Sequence, residues 1–274
     1  MTSSAEIVKT PEIGGELATL LTRFPGFAPD DQDLVEILEE TYEDGTPAVR
    51  DLPHVSFPSS GGTSWEINTG GEQKTLKAIT GIPVLVAPGR KFWTDPDPKH
   101  NLPECASSDG KTPVPGGLYA PDGARARQNP NGDCRSCPMA QWGSDLKGRT
   151  GQGCREQRQI FLMIEGALLP TVIVVPPSSK KIIGDFIKGL VATEGLPYWA
   201  AEMTFTLAKT RAKGGEEYSE LVPVVRRRLT DDEVKVTKQY KDTVKEWVRN
   251  SPPMTFANVD ITSDGSVDLE EYPG

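Results

Sequence analysis

Residues 158–195 read RQIFLMIEGALLPTVIVVPPSSKKIIGDFIKGLVATEG, and three elements follow from them in order. RQIFLMIEG is a short apolar run closed by glycine, which predicts a strand. A Leu-Pro turn leads into LPTVIVVPP, a second strand ended by two prolines. Ser178-Ser179 then stands as the cap of a helix, KKIIGDFIKGLVATEG. Its Ile182, Ile183, Phe186, Ile187 and Leu190 recur at three- and four-residue steps, so they share one face.

Working outward, two more strands are expected downstream, YWAAEMTFTLAKTR (198–211) and YSELVPVVRRRL (218–229), joined by a turn at Lys213-Gly214-Gly215-Glu216. Thr230 with Glu233 forms a capping box for a last helix, which ends near Asn250 before Pro252-Pro253. Upstream, residues 64–93 are β-rich: WEINT, a Gly-Gly turn at 70–71, KTLKAITGIPVLVA and RKFW. The core order is therefore strand region, irregular loop, strand, strand, helix, strand, strand. This predicts a mainly β fold with helices, an OB-fold-like five-stranded barrel with a large insertion between its first two strands.

Three regions flank or make up this plan. Residues 1–63 form an acidic segment: two short amphipathic helices between Gly15 and Glu43, split by Pro25-Gly26-Phe27-Ala28-Pro29 with Asp30 or Asp31 capping the second, then an extended linker over 44–64. Residues 64–250 form the core, with the loop at 95–156, and residues 251–274 form an acidic tail. The apolar share of 36% beside 27 glycines and 24 prolines points to one core surrounded by irregular chain. No apolar run is long enough to span a membrane and no leader pattern opens the sequence, so a soluble, cytoplasmic protein is expected.

The loop holds all four cysteines, Cys105, Cys134, Cys137 and Cys154, with Cys134-Arg135-Ser136-Cys137 as a CxxC knuckle. Two arms closing on a knuckle suit a structural, tetrahedral zinc ion, and a reducing compartment disfavours cystines. Disulfides, free thiols, and His100 in place of Cys105 are the alternatives. Four thiolates leave no open coordination position for catalysis. Redox work by the CxxC lacks its βαβ setting, and no HxE precedes it as in nucleoside deaminases. The chain has two histidines, His54 and His100, and no GxSxG, HExxH or Walker loop; Gly148-Arg149-Thr150-Gly151-Gln152-Gly153 mimics one only superficially. A binding protein, not an enzyme, is the reading.

The net charge of −9 conceals a pattern. Residues 1–73 carry 3 basic and 14 acidic side chains, and residues 251–274 carry five acids and no base. The middle is net basic, as a polyanion-binding core between acidic flanks would be. Basic and aromatic residues interleave on the expected strands and loop: Arg90, Lys91, Trp93, Trp142, Arg155, Arg158, Trp199, Lys209, Arg211, Arg226 and Arg228. That mixture suits single-stranded nucleic acid, with bases stacking on rings and cations following phosphates. Alternation puts Arg226 and Arg228 on one strand face and Arg227 on the other, and one of those faces should be the barrel interior unless the strand ends there. In the tail, DITSDGSVDLEE from Asp260 to Glu271 echoes a calcium-binding EF-hand loop, although a plain acidic tail explains it as well.

PECASSDGKTP (103–113) and GDCRSCPMAQWGSDLKGRTGQGCREQRQIFLMIEGALLPTVIVVPPSS (132–179) carry a resemblance. They are similar to a pattern of phage and mobile-element proteins taken to bind DNA, CSSxDG…CxxCPxxxWGS…GCKxxR followed by two strands. The likeness spans about Trp65 to Leu229, with Arg155 where lysine is usual. More broadly, a zinc loop in an OB-like barrel with an acidic tail resembles the replicative single-stranded-DNA-binding proteins of tailed phages. The resemblance implies a zinc role for the four cysteines and single-stranded DNA as partner. It also implies a tail that recruits replication or recombination proteins and occupies the DNA groove when no DNA is present. A zinc-bearing protein-interaction module, such as a transcription or polymerase accessory factor, is the rival expectation, and a nuclease with acidic metal ligands is third.

Overall fold

The computed structural model describes residues 15–28, 32–42, 47, 49–58, 61–69, 72–95, 103–148, 150–212, 215, 217–250, 260–261 and 267–268. The caps at Asp30 or Asp31, the Gly70-Gly71 turn, His100 and most of the 213–216 turn lie outside them. Two N-terminal helices, α1 (Gly15–Arg23) and α2 (Gln32–Thr41), precede β1 (His54–Ser56), β2 (Trp65–Thr69), β3 (Glu72–Leu76) and the fifteen-residue β4 (Ala78–Phe92). After β5 (Cys105–Ser107) and the cysteine loop come β6 (Arg155–Ile164), β7 (Thr171–Val175), α3 (Pro177–Glu194), β8 (Ala201–Arg211), β9 (Glu217–Arg228) and α4 (Asp231–Asn250). In the tail, β10 (Asp260–Ile261) and β11 (Val267–Asp268) pair antiparallel, across two ends of the stretch read as a calcium loop.

The main sheet runs β3-β2-β1-β7-β6-β4-β8-β9 and curls into a half-barrel, with β5 added to β4. Sheet-rich with helices is therefore the architecture. The five strands foreseen as the core are neighbours in the order β7-β6-β4-β8-β9. The linker at 44–64 is not all extended coil. His54–Ser56 pairs in parallel with β7 and antiparallel with β2, which carries β1, β2 and β3 onto that edge. The main path so has eight strands where five were expected, ending at β3 and β9.

β6 explains why both faces must be covered. In IFLM, Ile160 and Leu162 enter one apolar core while Phe161 and Met163 enter another, all with no exposure. A strand buried on both sides reads as a continuous apolar run. The first core lies under α3 and includes Trp65, whose indole N–H donates to the Phe205 carbonyl at 3.0 Å. The second lies under α1 and α4, around Phe24, Phe27, Tyr240 and Val244.

Both helix-start expectations can be checked. Thr230 and Glu233 do form the capping box: the Thr230 N–H donates to the Glu233 carboxylate at 2.8 Å, and the Glu233 N–H to Thr230 Oγ1 at 3.5 Å. Ser178-Ser179 does not cap α3, which begins at Pro177 behind Pro176. Ser179 is fully buried and accepts the Leu221 N–H at 3.1 Å, so its hydroxyl ties helix to sheet. Proline fits the first turn, where its missing N–H has no partner to lose.

Gly81 marks the tightest crossing in the sheet. A Cβ there would stand 2.1 Å from the Met163 carbonyl oxygen, a backbone atom that cannot step aside. Gly81→Ala is expected to lower stability by about 1–3 kcal/mol through overpacking, read as an earlier urea midpoint. An unchanged midpoint would show that β4 and β6 have slack there.

Candidate functional site: the cysteine loop and the end of the sheet

β4 and β6 are joined by residues 93–154 and are themselves paired, with Lys91 opposite Arg155 and Arg90 opposite Glu156. The loop is thus held at one end of the sheet. It is built from turns, not ladders. Asp109 accepts the Lys111 and Thr112 N–H groups, Asp133 accepts that of Ser136, and Asn129 donates to the Tyr119 carbonyl. The Cys154 N–H donates to the Met139 carbonyl at 2.7 Å, which brings the fourth cysteine to the knuckle.

All four cysteines are buried and reduced, and all line one cavity of 10 Å³, room for a single small occupant. Phe92 and Tyr119 meet edge to face at 5.5 Å and wall it, with Cys105, Cys137, Cys154 and Ala140 in the same small core. Backbone N–H groups of Tyr119 and Ala106 reach Cys105, those of Met139 and Ala140 reach Cys137, and the Ser107 hydroxyl reaches Cys134. Burial pushes the Cys134 thiol up to about 11 and Cys154 up to about 12, while the Arg90 charge opposes it. No group of three or more His, Cys, Asp or Glu side chains is gathered as a finished metal centre among the described residues. The donor set still suits a soft tetrahedral cation: four sulfurs and no carboxylate line the cavity.

The eleven basic and aromatic candidates do not share one surface. At the loop end, the Arg155 guanidinium sits over the Trp93 ring at 5.8 Å. Both border a polar cleft of 70 Å³ with Asp95, Asp145 and Lys147. Trp142, in the same loop, is 79% exposed. Arg158 is half-buried beside Glu156.

Arg90 is turned inward instead. It pairs with Glu156, itself held by Lys180, and lines the cysteine cavity. Lys91 is largely buried too, and burial lowers its pKa. Lys209 and Arg211 both pair with Glu217 at the far end of the sheet, beyond Ala78, a contour of about 50 Å from Trp93 along β4. Trp199 packs beneath α4, with the Lys241 ammonium 4.7 Å from its ring. Arg228 pairs with Glu194 at 2.5 Å.

The Arg226-Arg227-Arg228 triplet is resolved by a network sequence reading missed. A bulge between Glu202 and Met203 leaves Arg226 and Arg228 outward and turns Arg227 in. There Arg227 donates to Glu202 at 3.1 Å and makes a two-pronged pair with Glu233 at 2.9 Å. Arg23 of α1 binds Glu202 from the other side at 3.0 and 3.1 Å. The interior at this point is ionic, not apolar. Compared with protein-family models, curated proteins and solved structures, the chain matches none.

Proposed function

We propose that the protein binds single-stranded DNA without catalysing a reaction, in replication or recombination of the phage type. The observation that carries this reading is the loop end of the sheet: Trp142 is 79% exposed on the loop whose Lys147 borders the same cleft as the Trp93–Arg155 stack. One loop thus supplies both an exposed ring and cations, the two kinds of group that sequence-tolerant binding of single strands requires. The order β7-β6-β4-β8-β9, with α3 between β7 and β8 in the chain, supports an OB-like relation. The four cysteines support a structural zinc ion that orders the loop carrying Trp142. Of the eleven residues, Trp93, Trp142, Arg155 and Arg158 form the proposed face. Arg90, Lys209, Arg211, Trp199, Arg226 and Arg228 are committed to intramolecular partners or lie elsewhere, and Lys91 is largely buried. The acidic tail is the proposed contact for replication or recombination proteins.

A salt-titrated gel shift with oligo-dT tests the reading. Binding is expected to weaken linearly with the logarithm of salt, by about 0.7 log units per phosphate contact and log unit of salt. Trp142→Ala is expected to cost about 1–3 kcal/mol, some ten- to hundredfold in Kd. An unshifted strand at micromolar protein and low salt would sink the proposal.

The rival, a zinc-bearing interaction or accessory factor, has one observation of its own. Val35 and Ile37 are 42% and 47% exposed on α2, and Val35 borders an apolar cleft of 140 Å³ against Trp247. Absence of nucleic-acid binding together with a stable protein complex lost on Val35→Asp would favour it.

A further inference from the structure

The inside position of Arg90 asks for an explanation that DNA binding does not supply. Its side chain is 13% exposed, and one guanidinium nitrogen, Nη2, is taken by Glu156. The other, Nη1, is fully buried with no hydrogen-bond partner. Leaving a buried charged donor unmade is among the most expensive arrangements a fold can hold. Arg90 also lines the cysteine cavity, and its charge is felt at Cys134, Cys137 and Cys154.

We infer that Arg90 is the positioning cation of the four-cysteine site, donating through Nη1 to the thiolate sulfurs of a bound divalent metal. The inference rests on the zinc reading above and assigns within it a residue outside the ligand set. Four thiolates around a divalent cation carry a net charge of −2. In a buried site that charge needs a counter-charge, and N–H donors to sulfur supply it. The backbone donors at Cys105 and Cys137 are neutral dipoles, and the Ser107 hydroxyl donates to Asp109 at 3.0 Å. Arg90 is the full cation among the residues lining the cavity. Glu156 takes the other terminal nitrogen, Nη2, and so draws part of the guanidinium charge away from the cavity.

The test is metal affinity, measured on the full chain by competition with a chromophoric chelator for zinc, and by the sulfur-to-cobalt charge-transfer band after loading with Co²⁺. Wild type is expected to take up one ion per chain with four thiols shielded from alkylation. Arg90→Gln is expected to bind zinc roughly 10–100-fold more weakly and to shift the cobalt band. Arg90→Lys, which keeps charge but loses the fork, should fall between the two. Should Arg90→Gln fail to fold, Glu156→Gln decides, since it frees the guanidinium without removing it and is expected to leave zinc affinity equal or higher. Arg90→Gln matching wild type, or Glu156→Gln binding more weakly, overturns the assignment while leaving the zinc reading intact. A wild-type chain that takes up no zinc or cobalt defeats the zinc reading, and the role of Arg90 with it.

Discussion

If the four cysteines hold the zinc ion proposed above, a strong chelator is expected to unfold residues 105–154 while the rest of the sheet survives. Among the described residues of that span of about fifty, regular structure is limited to the three-residue β5 and two short 3-10 turns. Its private core is Phe92, Cys105, Tyr119, Cys137, Ala140 and Cys154, packed against Leu118 and Met139. Ordering a backbone opposes folding by about 1–2 kcal/mol per residue, far more than so few apolar side chains offset. A structural zinc site contributes roughly 10–16 kcal/mol of apparent binding energy in small domains, which is the right scale to hold such a loop. Hydrogen exchange gives the readout. Amide protection at Cys134, Ala140 and Cys154, whose N–H groups are bonded within the loop, should vanish on chelation and persist in β6. Cys134→Ser should reproduce the chelated state without chelator. Loop protection that outlasts both treatments would mean that turns and packing alone hold the loop, and zinc would have no structural part.

How far this was legible in sequence differs from one residue to the next. The doubly buried β6 shows plainly, because IFLM leaves no polar alternation to interpret. The cysteines show by spacing, since the knuckle and its two arms fall in one loop. The inner role of Arg90 does not. Alternation along β4 tells that residue 90 differs in face from 89 and 91, but not that a loop from 105 to 154 packs on that face. Nor could short, proline-flanked His54–Ser56 declare itself, because β7, the partner that joins it to the rest of the sheet, lies more than a hundred residues away. The same remoteness hides the ionic interior: Arg23 and Glu202 are 179 positions apart. Only the odd parity of Arg227 hinted at it.

Glu202→Gln is expected to destabilise the protein by about 3–5 kcal/mol, the usual consequence of breaking one member of a buried ion network. That is a fall in Tm of about 10 °C for a chain of this size. The reason is geometric. Glu202 is 2% exposed in its side chain and binds Arg23 of α1 and Arg227 of β9, while Arg227 in turn holds Glu233 in the capping box of α4. The remote helix α1 is therefore tied to β8 and β9 at one carboxylate, and through Arg227 to α4. The amide keeps the volume but leaves both guanidiniums short of an anion. Its pH dependence separates this from a packing effect. Burial by itself would raise the Glu202 pKa, yet the hydrogen bonds and charges of Arg23 and Arg227 outweigh it and hold the value below the ordinary 4.5. Burial likewise would raise Glu233, and Arg227 with the Thr230 N–H brings it below 4.5. Groups with depressed native pKa values add stability that is fully present above the unfolded value and is lost as pH falls through the native one. Wild-type stability should thus hold from neutrality to about pH 4.5 and then drop. Glu202→Gln should begin lower and drop less, so that the two curves converge on acidification. Curves that stay parallel from pH 7 to pH 3 would assign the loss to packing and remove the ionic network from the account of what joins α1 and α4 to the sheet.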